Sequence, residues 1–212
     1  MPAPAIEQSY AVHRQDSTPI DRFWAWFKEN TDLLAAFEDR GEQVVEEVET
    51  YLKAVHEDLT FELGQDDDGT FEFVISADGV RRVFPEVTKL AKCAPAIEGW
   101  RVTAFRPRRD LKVAVRFMDQ ELKGDNIWYA IEYDDEVPVL CLLIDGMTEE
   151  NSRQMIAASF VLLDMALGEY DVATKFGVIE HYPLPPQPKK NGLKPFQMLP
   201  SDVDMQFRTV LH

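Results

Sequence analysis

Between Leu59 and Arg109 the chain reads strand, turn, strand, helix, strand, and this order constrains the fold more than any other stretch. In the second strand Phe71, Phe73 and Ile75 share one parity while Glu72, Val74 and Ser76 take the other, which predicts a sheet with one covered face. The cover is the following segment, where Val83, Val87, Leu90 and Ala94 recur at helical spacing and Pro85 sits early enough to be tolerated in a first turn. Ser76 to Gly79 brackets this helix on one side and Ala94-Pro95 on the other. Trp100 to Phe105 then returns as a strand.

Elements of both kinds continue along the chain. Thr18-Pro19 followed by Asp21 predicts a helix start, with Thr18 as N-cap and Pro19 at the first helical position. One helix is expected to carry Phe23, Trp24, Trp26, Phe27, Leu33, Leu34 and Phe37 and to end at Gly41. A second runs to about Val55 on Val44, Val48, Tyr51, Leu52 and Val55, completing a helical hairpin. Leu111 to Met118 and Ile127 to Tyr133 alternate as half-buried strands. Val137 to Ile144 is apolar on both parities apart from Pro138, which predicts an interior strand. Thr148 is a candidate N-cap for a helix through Leu167, closed by Gly168, and Lys175 to Tyr182 has the pattern of a further short strand.

The fold class expected is therefore α+β. A single domain at residues 18–182 would hold a mostly antiparallel sheet of about six strands, an N-terminal helical hairpin and two further helices packed on the sheet. Residues 1–17 have two prolines within their first four positions and no periodicity, and are expected to form a flexible arm. Residues 183–212 hold six prolines by position 200 and are expected to form an extended tail. No sequence repeat is visible.

With 212 residues and 45% apolar content the chain can bury a sizeable core. No run approaches the roughly 18 to 20 apolar residues of a membrane span, and the start has no secretion-signal pattern. Cys93 and Cys141 are expected as buried free thiols, consistent with a cytoplasmic location. The net charge of −16 argues against nucleic acid and anionic lipid as partners.

The charge is unevenly placed. Residues 81–116 hold ten Lys or Arg against three acids, whereas 124–152 hold eight acids and no Lys or Arg. Arg81, Arg82, Arg101, Arg106, Arg108 and Arg109 are the candidates for an anion pocket, because a forked guanidinium matches phosphate and carboxylate. The competing expectation is that they pair with surplus acids of neighbouring elements. Glu42, Glu46, Glu47 and Glu49 on the second helix are candidates for docking a basic protein. Glu62, Glu72 and Glu132 lie on expected strands, where a solvated face is the ordinary role and convergence as an acid and base pair the alternative.

Nothing else carries a catalytic signature. The ten glycines form no nucleotide-binding spacing, and the four His and two Cys show no metal-ligand spacing. No cofactor, metal or catalytic residue is assigned. Phe23 to Phe27 (FWAWF), Phe71 to Gly79 (FEFVISADG), Phe84-Pro85, Ala94-Pro95, Trp100, Phe105-Arg106-Pro107 and Leu167 to Tyr170 (LGEY) together resemble a family of bacterial cytosolic proteins of unknown function over residues 20–182. The resemblance implies an α+β domain and a bacterial source, and no activity. The residues favour a non-enzymatic binding or regulatory protein, immunity-like in kind, whose acidic surface engages a basic partner. The alternative is a small-molecule binder, or an enzyme acting on an anionic substrate through the arginine cluster.

Overall fold

The computed structural model describes residues 17–111, 114–118 and 120–207. The arm expected at 1–17 lies outside these apart from Ser17, as do residues 112 and 113 of one expected strand and the last five residues of the tail. Helix α1 (Pro19–Glu29) begins where the sequence places it: Thr18 Oγ1 accepts from the Asp21 N–H at 3.1 Å, and the Asp21 carboxylate accepts from the Thr18 N–H at 2.9 Å. The helix does not reach Gly41. Asn30 leaves helical geometry and its side chain donates to the Trp26 carbonyl at 2.8 Å, so a short α2 (Thr31–Ala35) follows. Gly41 opens α3 (Gly41–Val55) rather than ending its predecessor.

Strands β1 (Thr60–Gln65) and β2 (Phe71–Ser76) pair antiparallel. After α4 (Phe84–Lys92), β3 (Trp100–Ala104) returns parallel to β2, giving the order β1-β2-β3. Phe61, Phe73 and Val102 face α1, α3 and α4. Phe73 is fully buried among Phe23, Trp24, Phe27 and Phe61 at centroid distances of 5.0 to 6.3 Å. Burying one such ring is worth about 2–3 kcal/mol. The aromatic stripe of the first helix is thus core.

A short hairpin, β4 (Val115–Phe117) with β5 (Gln120–Leu122), leads to the second half. There β6 (Ile127–Asp134) and β7 (Val137–Ile144) pair antiparallel. After α5 (Ser152–Leu167) and α6 (Glu169–Lys175), β8 (Val178–Pro183) returns parallel to β7. β7 is interior, as its two-sided apolar pattern requires. Both halves therefore share one plan, an antiparallel pair followed by a helical crossover to a parallel third strand, and each has its own hydrophobic core. The fold is α+β as expected, but its strands are divided among three sheets instead of one sheet of about six.

Three expectations are corrected. The described part of the proline-rich tail is not an extended appendage: β9 (Lys194–Pro195) pairs with β6, and α7 (Leu199–Gln206) sends Leu199 and Val203 into the second core beside a fully buried Phe196. Pro183 and Pro195 each end a strand, and Pro200 sits in the first turn of a helix, where a missing N–H costs nothing. Helix α5 starts at Ser152, not after Thr148, whose N–H donates to the Asn151 side chain at 2.7 Å within the preceding turn. Cys141 is a buried free thiol, whereas Cys93, at the end of α4, is exposed.

Candidate functional site

The outer face of the first sheet is polar, and on it the two halves meet. Phe105 ends β3 with a positive φ of 66°, unusual for a bulky residue. Its ring is held between Phe84 at 4.6 Å and Tyr170 at 5.2 Å. The chain from Arg106 to Arg109 then passes against the junction of α5 and α6. The Arg109 N–H donates to the Met165 carbonyl at 2.7 Å, and the Glu169 N–H to the Arg106 carbonyl at 2.9 Å. Gly168, at φ 80°, leaves the space for this crossing, because a Cβ there would stand 3.3 Å from the Arg106 carbonyl oxygen.

Glu169 closes the junction. Its buried carboxylate accepts from the N–H groups of Ala77 and Gly79, each at 3.0 Å, and from the N–H of Arg106 at 3.1 Å. The segments Ala77 to Gly79, Phe84, Phe105-Arg106 and Gly168 to Tyr170 are fragments of the sequence strings on which the family resemblance rests. In the fold they meet at one place.

The six candidate arginines divide. Arg81, Arg106 and Arg109 border one cleft, while Arg82, Arg101 and Arg108 lie outside it. Arg82 pairs with Asp58 at 2.7 Å, and Arg101 with Asp66 at 2.6 Å and Glu72 at 3.1 Å. Arg108 pairs with Asp171 at 3.0 Å and Asp204 at 2.7 Å, and also donates to the Leu167 carbonyl. Arg109 pairs with Glu72 at 2.6 Å. Arg106 is held by Glu62 and by Asp78 at 2.6 Å, with Asp164 at 3.6 Å. Arg81 donates to the Phe176 carbonyl at 2.7 Å. An incoming anion would have to displace a carboxylate at five of these six positions.

Glu72 is not on a solvated strand face. Its side chain is 5% exposed and accepts from Thr103 at 2.6 Å as well as from Arg101 and Arg109. Burial pushes its carboxyl up, but those hydrogen bonds outweigh burial and hold it down at about 2. Glu62, Glu72 and Glu132 do not converge: the first two serve different arginines, and Glu132 lies on β6 in the other half. Asp164 behaves oppositely. Burial, and then the neighbouring Glu169, Glu62 and Asp78, push its carboxyl up to about 7 against the pull of Arg106.

The cleft has a volume of about 740 Å³, within the range of small-molecule sites. Its apolar lining comes from Phe160 and Val161 on α5, Val172 and Phe176 around α6, and Ile179 on β8. Its charged lining includes Glu62, Asp78, Arg106 and Asp164. Asp164 and Glu169 were not singled out in the sequence, although Glu169 stands inside the LGEY string. Nearby, Ser159 Oγ lies 2.9 Å from His181 Nε2. The serine is wholly buried and also donates to the Ile156 carbonyl, so this pair ties α5 to β8 inside their packing. Among the described residues no group of three or more His, Cys, Asp or Glu is placed to hold a metal ion, and no helix is long and apolar enough to cross a membrane.

The acidic candidates occupy α3. Glu42 and Glu46 are exposed, Glu47 is half-buried, and among the described residues none of the three has a cation partner; Glu49 pairs with Lys53. A groove of about 480 Å³ runs between α3 and β1, lined by Phe37, Val44, Val45, Phe61 and Leu63 and edged by Glu49, Lys53 and Glu57. β1 is the outer strand of its sheet.

No family model, no curated protein and no solved structure matches the chain.

Proposed function

We propose that this chain is a non-enzymatic binding protein, regulatory or immunity-like in kind, that engages a basic protein partner along α3. The observation that carries the reading is that Glu42, Glu46 and Glu47, without a cation partner among the described residues, share α3 with an apolar groove in which Val45 is 45% exposed. Apolar contacts supply affinity once water is excluded, and a mainly acidic helix steers and selects the partner. The arginines point the same way, since most are neutralised within the fold while Glu42, Glu46 and Glu47 have no cation partner among the described residues.

Capture from a lysate of the source cells tests this, with wild-type protein and the variant Glu42→Gln/Glu46→Gln/Glu47→Gln/Glu49→Gln as baits. A basic protein retained by the wild type, released by raised salt and lost with the variant is expected. The same proteins on both baits would refute the reading.

A further inference from the structure

We propose that the cleft between the two halves is a binding site for a small organic cation, an ammonium or amidinium head carried on an apolar body. The site is separate from α3 and does not depend on the protein partner.

Charge decides the sign of the ligand. Three carboxylates, Glu62, Asp78 and Asp164, share one guanidinium, that of Arg106. Glu169 is satisfied by three N–H groups, and Arg109 is held by Glu72 at 2.6 Å. Arg81 is anchored to the Phe176 carbonyl and lends no charge to the three acids through an ion pair. With Asp164 ionised, the group around Arg106 carries a surplus of two negative charges. An anion placed there meets like charge, whereas a cation meets the partner that Arg106 alone cannot supply.

Geometry singles out Asp164 as the anchor. Its side chain is 19% exposed, and among the described residues its carboxylate accepts no hydrogen bond; Arg106 Nη1 stands 3.6 Å away, while Nε and Nη2 of the same guanidinium bind Glu62 and Asp78 more closely. A buried carboxylate without a donor is costly. Its raised proton affinity is the same demand seen from another side, since the pull of Arg106 does not offset burial and the neighbouring acids. A ligand ammonium with several N–H donors meets that demand without a proton. The body of the ligand is apolar because Phe160 and Val161, 40% and 45% exposed one turn before Asp164, line the cleft together with Val172, Phe176 and Ile179. A cleft of about 740 Å³ accepts more than a bare amine.

Phenethylamine is a suitable probe for calorimetric titration of the full chain, with 2-phenylethanol and 3-phenylpropionate as isosteres of other charge at matched ionic strength. At about pH 8 the amine is expected to bind at least about tenfold more tightly than either isostere. Asp164→Asn should bring amine and alcohol within about threefold of each other. Arg81→Gln removes the one cleft guanidinium held by a carbonyl and should strengthen amine binding about threefold or more. Amine binding should weaken from about pH 8 to 6, as Asp164 takes up a proton among Glu62, Asp78, Glu169 and Arg106. An amine no better than the alcohol, a carboxylate that binds best, or an Asp164→Asn protein with undiminished preference would overturn the proposal. Should Asp164→Asn not fold, the Arg81→Gln comparison decides: unchanged or weakened amine binding would sink it.

Discussion

Arg106 and Glu169 are bonded twice through the main chain of one and the carboxylate and main chain of the other. The Glu169 N–H donates to the Arg106 carbonyl at 2.9 Å, and the Arg106 N–H donates back to the Glu169 carboxylate at 3.1 Å. The other carboxylate oxygen takes the N–H groups of Ala77 and Gly79 at the end of β2. One side chain thus fixes the turn after β2, the exit from β3 and the start of α6. It joins the two halves beside the aromatic contact of Tyr170 with Phe84 and Phe105.

Removing that carboxylate leaves buried donors without an acceptor. Glu169→Ala orphans three N–H groups, and Glu169→Gln sets an amide donor against one or more of them. Glu169→Gln is expected to cost about 2–4 kcal/mol and Glu169→Ala more, read from urea unfolding. Either variant within about 0.5 kcal/mol of wild type would show that the junction is not held this way.

The tail should prove to be part of the second core. Phe196 is fully buried, and the Tyr129 hydroxyl donates to Asp202 on α7 at 2.6 Å, where Lys194 also binds at 2.5 Å. Phe196→Ala leaves a cavity and should destabilise by about 3–5 kcal/mol. An effect near zero in thermal unfolding would mean that residues after Pro183 do not pack on the core.

Several local patterns were legible in the sequence from one residue's chemistry, although Gly41 opens a helix where a stop was expected and Thr148 is not the cap of α5. The Thr18 cap, the core stripe of α1, the interior position of β7 and the Gly168 stop each follow from side-chain type at a given spacing. What could not be read depends on partners distant in sequence. Glu72 looks like a solvent-facing residue on an alternating strand until Arg101, Thr103 and Arg109 are brought to it. The strands of the two halves alternate alike, and nothing in periodicity says that they close separate sheets. The tail misled because proline signals breaks in hydrogen-bonded structure, not the absence of apolar anchors such as Phe196, Leu199 and Val203.

Glu72 gives the chain an acid-sensitive element. Its folded carboxyl lies at about 2, below its ordinary value near 4.5, so the stability it provides is present above about pH 4.5 and is lost as the pH falls toward 2. At neutral pH this amounts to about 3 kcal/mol. Glu72→Gln should therefore be less stable than wild type at neutral pH, with the gap closing through that window. Denaturant titrations at a series of pH values would show it, and a gap independent of pH would exclude a role for the charge.

Asp164 has the opposite sign. Its folded carboxyl lies at about 7, above its ordinary value near 3.8, so the folded state binds the proton more tightly. The penalty for ionising it is absent below about pH 4, grows as the pH rises and is complete above about pH 7. Asp164→Asn keeps the shape and removes the charge that Glu62, Asp78 and Glu169 oppose, while Arg106 keeps its two closer partners. The variant should exceed wild type in stability by about 2 kcal/mol at pH 8, allowing for the part of the side chain that water still reaches. The advantage should fade toward pH 4. Calorimetric unfolding of both proteins across this range would decide it, and an Asp164→Asn protein less stable than wild type at pH 8 would show that the charge is satisfied within the fold. A gain in stability coupled to loss of amine binding is the pattern of a residue kept strained for a ligand.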